Sequence, residues 1–162
     1  MLTTTNPLRQ TRDPIPFMNP QEISLVKTTF QKVAPNADRA AVIFYARLFE
    51  LDPSLRELFH GDMGGQGRKL MHMLGLAVDG LDRLEALAPI IRHLGMRHAG
   101  YHVKERHYET VGTALLWTLE KGLGADFTAS VRDAWTKVYW LLAETMKAGA
   151  RDATAMLARI VA

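Results

Sequence analysis

Leu94-Gly95-Met96-Arg97-His98-Ala99-Gly100-Tyr101 is the stretch around which the rest of this sequence is organised. Counting back from His98, apolar residues recur at the spacing of one helix face, at Leu94, Ile91, Leu87 and Leu84. At about 100° per residue, His98 lies on that face and His93 points away from it. We expect Gly100 to end the helix in a left-handed conformation. His98 is then either a core or boundary residue with a satisfied hydrogen bond, or a ligand for a group inserted beside the helix end.

Composition excludes several classes of protein. A chain of 162 residues is expected to form one domain that buries about two-thirds of its unfolded surface. The absence of cysteine excludes disulfides, thiolate metal sites and cysteine nucleophiles. The net charge of +3 is scattered and forms no basic stripe, which argues against a nucleic-acid partner.

No segment of the sequence indicates secretion or a membrane. The residues from Met1 to Phe17 have no continuous apolar core of the kind found in signal peptides. No apolar run reaches the length needed to span a bilayer. We therefore expect a cytoplasmic protein without a membrane partner.

The first part of the chain predicts a flexible lead-in followed by a well-capped helix. Residues 1–18 are polar and contain Asn6-Pro7, Asp13-Pro14 and Pro16, which favour an extended or disordered segment. Asn19-Pro20-Gln21-Glu22 is a helix start in which Asn19 caps, Pro20 takes the first helical position and Glu22 closes a capping box. Met18 and Ile23 are placed for a hydrophobic staple.

Two further helix starts follow. Pro35 ends the first helix, and Asn36 or Asp38 is expected to cap a second that runs to about Leu51. Asp52-Pro53 then opens a short helix from Ser54 to Phe59.

A glycine-rich stretch occupies residues 60–69. It does not match the GxxxxGK[ST] spacing of a phosphate-binding loop and no strand precedes it, so a nucleotide site is rejected. We interpret the stretch as a mobile corner that leads into a helix. The apolar stripe of that helix is headed by Gln66, has Lys69 on its flank and continues through Leu70, Met73, Ala77 and Leu81.

The second half of the chain is helical throughout. Gly80-Leu81-Asp82 interrupts the pattern, and Pro89 fits the first turn of the helix that ends near His98. Long helices are predicted over residues 104–122 and 128–147, while residues 149–162 either extend the last helix or fray. The fold class is therefore all-α with seven or eight helices, in a domain of residues 19–148 between a flexible extension (1–18) and a C-terminal tail or helix extension (149–162).

Four segments together make residues 20–148 resemble a globin, in particular the single-domain bacterial globins related to the haem domain of flavohaemoglobins. Phe59, before the glycine-rich stretch, matches the family phenylalanine that wedges against haem, and His98 matches the proximal iron ligand. The runs 107–119 and 133–139 match the last two helices of the family. The resemblance implies a globin fold around one non-covalent haem b. No Cys-x-x-Cys-His attachment motif is present.

The resemblance also assigns the ligand-binding side of the haem. Tyr45 and Gln66 match the tyrosine–glutamine pair that faces bound ligand in this branch of the family, and Leu70 matches the leucine beside them. A phenolic donor strengthens the binding of oxygen, because oxygen on ferrous haem gains negative charge. An amide side chain can both donate and accept, so Gln66 can orient the tyrosine or contact the ligand.

On the proximal side, flavohaemoglobins are similar in having a tyrosine at Tyr108, but their nearby glutamate corresponds to Ala150 here. This departure weakens the electron push that favours oxygen activation. Val103 follows the helix end and is a further cofactor-contact residue. Arg97 and Lys69 are candidates for the haem propionates, with ordinary solvated charges as the alternative.

Three functions follow from the resemblance. The first is reversible binding of O2, NO and CO, including protection against nitric oxide. The second is nitric oxide dioxygenation with Tyr45 and Gln66 as catalytic residues; because the sequence ends at Ala162, we expect a separate reductase to supply electrons. The third is a gas sensor, which we disfavour because no output domain is recognised.

Overall fold

The computed structural model describes residues 18–162, and within them the chain forms only helices and their connections. The predicted all-α fold is confirmed, with six α-helices and four short 3-10 helices in this range. The α-helices are α1 (Pro20–Val33), α2 (Ala37–Leu51), α3 (Met63–Asp79), α4 (Leu84–Gly100), α5 (Glu105–Leu123) and α6 (Ala129–Val161). The 3-10 helices are Ala34–Asn36, Pro53–Leu58, Gly80–Arg83 and Gly124–Asp126. The predicted flexible extension lies, apart from Met18, outside the described residues.

The start of α1 has the predicted capping box. The Asn19 side chain accepts a hydrogen bond from the Glu22 amide at 2.9 Å, and the Glu22 carboxylate accepts one from the Asn19 amide at 3.0 Å. Pro20 takes the first helical position, where its missing N–H is no loss. Met18 is buried in the same apolar cluster as Ile23, as a hydrophobic staple requires.

The predicted side-chain cap of α2 is absent. Asn36 stands at the N-cap position but makes no capping hydrogen bond through its side chain. The chain instead passes from α1 into α2 through the 3-10 turn Ala34–Asn36, and the Ala37 amide donates to the Ala34 carbonyl. Main-chain hydrogen bonds of the turn therefore replace the cap that the sequence suggested.

The glycine-rich stretch is mostly helix, so its interpretation as a mobile corner was wrong from residue 63 onwards. Asp62 caps α3 by accepting hydrogen bonds from the Gly64 and Gly65 amides at 3.0 and 2.9 Å. Gly67 is buried against α2, where an added Cβ would lie 2.8 Å from the Ala41 Cβ. The cap and this close contact compensate for the poor helix propensity of glycine.

Two predictions about α4 need correction. Pro89 lies inside the helix and not in its first turn, because α4 already begins at Leu84. The left-handed residue after the helix is His102, with φ 65°, whereas Gly100 remains helical as the last residue of α4. The Val103 amide closes this turn by donating to the His98 carbonyl at 3.2 Å.

The main core lies between α1, α3, α5 and α6, around Trp135. This side chain has no exposed surface, and its indole N–H donates to the Thr29 hydroxyl at 2.9 Å. The hydroxyl in turn donates to the Leu25 carbonyl at 2.6 Å, so the polar atoms at the centre of the core are paired. Buried apolar residues surround the indole: Met18, Val26, Val33, Ala40, Val78, Leu81, Leu119, Leu123, Val131, Ala134 and Val138.

Helix α4, which holds His98, is fastened to α6 at two glycines. A methyl group added at Gly95 would overlap the Met146 carbonyl, and one added at Gly149 would overlap the Arg92 carbonyl. The two backbones can approach this closely only because both positions lack a side chain. An ion pair between Arg92 and Asp152 adds to the contact. The close crossing therefore fixes the position of α4 relative to α6.

Helices α3 and α4 follow each other in the chain but, unlike α4 and α6, do not pack along each other. They are joined by the 3-10 turn Gly80–Arg83, and each packs on other helices, α3 on α2 and α4 on α6. Direct contacts between α3 and α4 are therefore few.

Residues 149–161 extend α6, and their apolar side chains Met156, Leu157, Ile160 and Val161 are exposed. Among residues 18–162, no helix combines the length and apolar character that crossing a membrane requires.

Candidate functional site

His98 lies in the last turn of α4 with its imidazole half-buried. Its Nδ1 is 2.8 Å from the Leu94 carbonyl oxygen, one turn back in the same helix. Because a carbonyl oxygen can only accept, Nδ1 carries the proton and Nε2 keeps its lone pair. The helix thus orients the ring and leaves one nitrogen available as a ligand.

The surroundings of His98 also favour its neutral form. Burial has the largest effect and lowers the pKa of the imidazole; the Leu94 hydrogen bond opposes it in part, and the positive charge of Arg97 adds a smaller lowering. A neutral imidazole is the form that binds a metal. No cluster of three or more His, Asp or Glu suited to a bare metal ion occurs within residues 18–162. A metal on His98 would therefore have to bring most of its ligands with it, as a macrocycle does.

Tyr45 projects from α2 into a second apolar cluster and is 8% exposed. Burial raises the pKa of its hydroxyl, and hydrogen bonding from the side chain of Gln66 in α3 opposes that rise. The phenol therefore remains protonated at neutral pH and can donate. Tyr45 and Gln66 stand on α2 and α3, two helices that pack against each other, and their pairing beside a bound gas stays a prediction.

Aromatic rings fix the position of Tyr45. Phe59 meets it edge to face with centroids 5.3 Å apart, and Phe49 stacks on it at 6.0 Å. Phe49 and Phe59 are themselves in edge contact at 5.6 Å. Leu70 of α3 packs on the same cluster. The hydroxyl is thus held on a ring that has little freedom to turn away.

A third cluster lies beside the end of α4. Tyr108, Tyr139 and Ala143 are its buried members, with Val103 and Met146 packed against them. The Tyr139 hydroxyl donates to the Tyr108 carbonyl, which ties α6 to α5.

Val111 and Leu115 of α5 belong to both the Tyr45 cluster and the Tyr108 cluster. These two residues connect the clusters, on a helix that packs against both α2 and α6.

These features fit a flat, apolar, metal-containing ring bound between α3 and α4, which share few direct contacts. His98 on α4 offers a neutral imidazole with a free Nε2, and Tyr45 on α2 offers a buried phenol. Met73 lies one turn along α3 from Leu70 and is 37% exposed although it is apolar. An apolar ligand could cover such a side chain. The groups present therefore suit haem.

Two of the predicted cofactor residues stand apart from the clusters. Lys69 and Arg97 are both exposed, and the only hydrogen bond of Arg97 to another side chain in residues 18–162 is a long one, 3.4 Å to the Tyr101 hydroxyl. Their role as propionate partners stays a prediction. Val103 and Tyr108, in contrast, pack together as described above.

Several residues around the site were not singled out from the sequence. Phe49, Met146 and the Leu94 carbonyl were not assigned to a site. Helical spacing places Phe49 one turn after Tyr45, so a search for aromatic neighbours at i+4 would have found it. Met146 reaches the site through the close crossing of α4 and α6, for which the sequence holds no local signal.

The comparisons with known proteins agree with this geometry. The family model described as "Globin" matches residues 42–146. The chain is 30% identical to a neuroglobin of Tetraodon nigroviridis over 146 residues, which is 82% of this chain and 92% of that protein. It is 32% identical to a flavohemoprotein of Xylella fastidiosa over 132 residues, covering 80% of this chain.

The two kinds of relative differ in how much of their length is matched. A neuroglobin-1 of Oncorhynchus mykiss is 29% identical and is covered over 90% of its length. The flavohemoprotein is covered over only 33%, so this chain spans about a third of that relative. The similarity to neuroglobins was not anticipated from the sequence, whereas that to flavohaemoglobins was. With the family model matching well over half of its residues, the chain belongs to the globin family.

Proposed function

We propose that this globin binds haem b non-covalently through His98 and reversibly binds oxygen and other diatomic gases. The observation that carries the proposal is the arrangement of His98: a half-buried, neutral imidazole whose Nδ1–H is donated to the Leu94 carbonyl. Support comes from globin relatives of two kinds, neuroglobins and flavohemoproteins. A place among the single-domain bacterial globins, and a cytoplasmic location, remain predictions from the sequence.

Haem, when bound, would supply an iron atom that can bind a diatomic gas. His98 would hold that iron through Nε2, and the Leu94 carbonyl would keep the ring from rotating and raise its basicity. Because the carbonyl belongs to the same helix, this orientation does not depend on any distant side chain. The fastening of α4 to α6 at Gly95 then sets where the imidazole stands.

Residues on α2 and α3 would act on the gas ligand. The Tyr45 hydroxyl would donate a hydrogen bond, with the Gln66 amide orienting it. Phe59 and Leu70 would keep bulk water away from the ligand. Such a donor distinguishes gases by charge, because oxygen takes up more negative charge than carbon monoxide does.

The absorption spectrum of the purified protein, together with one substitution, tests this assignment. We expect one haem per chain that extracts into acidic organic solvent, because no attachment cysteine exists. His98→Ala should greatly weaken haem binding, measured by titration of haem into the haem-free protein. His93→Ala is the matched control, since this residue is five positions away on the same helix and exposed. An unchanged spectrum in His98→Ala would overturn the proposal.

A second function, nitric oxide dioxygenation, is favoured by the buried donor Tyr45 and by the flavohemoprotein relatives. The reaction joins NO and O2 into nitrate with one electron, which a reductase must supply. We expect the oxygenated protein to convert NO to nitrate once and then to stop until a reductase is added. Failure to oxidise NO even once would leave gas binding or sensing.

Ala150 gives a separate test of the proximal side. If the missing carboxylate limits oxygen activation, Ala150→Glu should speed NO consumption with an added reductase while oxygen release stays similar. No change in NO consumption would remove that explanation.

A further inference from the structure

A second concavity, of about 490 Å³, lies where the end of α1 and the turn after it meet α2 and α5. None of its lining residues belongs to the Tyr45 cluster or the Tyr108 cluster, whereas Val33 and Ala40 also belong to the main core. Its lining residues are Lys32, Val33, Asn36, Arg39, Ala40, Ile43, Thr118, Lys121 and Gly122, here called the basic groove. Its volume falls within the range of about 300–1,000 Å³ that is typical of small-molecule sites.

The charges of the basic groove have one sign. Three cations, Lys32, Arg39 and Lys121, line it, and no carboxylate does. Lys32 pairs with Asp126 at 2.9 Å, whereas Arg39 and Lys121 make no ion pair with any residue in 18–162. The Lys121 ammonium is instead held 4.3 Å from the centre of the Trp117 ring. Two positive charges are therefore left without a carboxylate partner beside a cavity.

The floor of the basic groove is apolar. Val33 and Ala40 are buried beneath it, and Ile43 is partly exposed one turn further along α2. On the α5 side, Gly122 leaves space in the groove, because a Cβ there would lie 3.5 Å from the Val33 side chain. The Asn36 amide, which is not used as a helix cap, adds a polar group at the same edge as Arg39.

From this combination we infer that the basic groove binds an amphipathic carboxylate, such as a medium-chain fatty acid. The carboxylate would pair with Arg39 and Lys121, and the chain would cover Val33, Ala40 and Ile43. An inorganic anion would leave the partly exposed Ile43 side chain in water, and a neutral lipid would leave both cations without a counter-charge. Arg39 is the stronger partner of the two, because a guanidinium can hold both carboxylate oxygens at once.

The experiment uses the full chain loaded with haem and titrates it with decanoate, with decanol and inorganic phosphate as comparison probes. Binding is measured by calorimetry and by the shifts of backbone amide signals in NMR spectra. Decanoate should bind more tightly than either comparison probe and should move the amides of Ala40 and Gly122. Its affinity should fall when the salt concentration is raised, because these charges are near the surface. The Soret band should not move.

Arg39→Glu/Lys121→Glu should weaken decanoate binding roughly tenfold or more, as expected when two attractive charges become repulsive. Arg83→Glu/Arg159→Glu is the matched control: it makes the same change in net charge at two exposed arginines outside the groove. This control should alter the affinity by less than about twofold. If the first variant fails to fold, judged by its circular dichroism, Arg39→Gln/Lys121→Gln takes its place with an expected loss of about threefold.

Four results would overturn the inference. Decanol binding as tightly as decanoate would show that only the apolar floor matters, and phosphate binding as tightly would show a simple anion site. Equal weakening by the groove variant and its control would mean that net charge alone attracts the ligand. If decanoate shifts the Soret band but leaves the Ala40 and Gly122 amides unmoved, the decanoate binds at the candidate haem site and not in the basic groove.

Discussion

Replacing Tyr45 by Phe isolates one hydroxyl of the proposed gas site. The ring itself should stay where it is, because its contacts with Phe44 at 5.0 Å, Phe49 at 6.0 Å and Phe59 at 5.3 Å do not involve the oxygen. What disappears is a protonated donor in a buried setting and its interaction with Gln66. A hydrogen bond to a charged acceptor contributes about 1.5–3 kcal/mol, which corresponds to roughly ten- to a hundredfold in a rate or equilibrium constant.

We therefore expect Tyr45→Phe to speed oxygen release by that factor and carbon monoxide release much less, because bound carbon monoxide carries little charge. Both rates are measured by stopped-flow displacement of one gas by another. Tyr139→Phe is the matched control, since it also removes a buried hydroxyl, one that donates to the Tyr108 carbonyl. This control should lower the free energy of unfolding by about 0.5–1.5 kcal/mol and leave the ratio of the two release rates unchanged.

Two outcomes would refute the reasoning about Tyr45. Equal acceleration of oxygen and carbon monoxide release would mean that the ring acts by blocking space or excluding water. An unchanged oxygen rate would mean that the hydroxyl does not reach the ligand, and Gln66→Leu would then be the next variant to measure.

Three further predictions concern the haem ligand and stability. His72→Ala should leave the haem spectrum unchanged, because that side chain is exposed on α3, and any loss of haem would contradict the placement of the site. Gly112→Ala should lower the free energy of unfolding by about 1–3 kcal/mol in denaturant titrations, because the new Cβ would lie 2.5 Å from the Tyr139 ring; unchanged stability would mean that the ring can move aside. The Lys137 ammonium and the Asn19 amide hold the pKa of Glu22 below its usual value, so its stabilising contribution should be present above the ordinary glutamate pKa and lost as the pH falls through the lowered one. When melting temperature is plotted against pH, Glu22→Gln should flatten the acidic part of the curve. An unaltered curve would contradict the stabilising role of the Glu22 carboxylate.

The sequence alone determined the features that depend on neighbours along the chain. The capping box of Asn19 and Glu22 forms within one turn, so four residues sufficed to predict it. The position of His98 on the apolar face of its helix follows from periodicity in the same way. The all-α fold was likewise predictable, because every helix carries its own apolar stripe.

Other features required contacts between residues far apart in the chain. The glycine-rich run 64–67 has a low helix propensity, and packing of Gly67 on Ala41 in α2 adds to the local Asp62 cap in making it helical.

Tertiary structure alone also decided how α4 packs on α6 and which side chains cluster around the candidate haem site. Gly95 and Gly149 are 54 positions apart, and neither indicates in the sequence that the other will allow its backbone to approach. The basic groove likewise joins Arg39 to Lys121 across α2 and α5. Local hydrogen bonding and periodicity involve residues within about four positions, whereas these contacts depend on how whole helices fill space against one another.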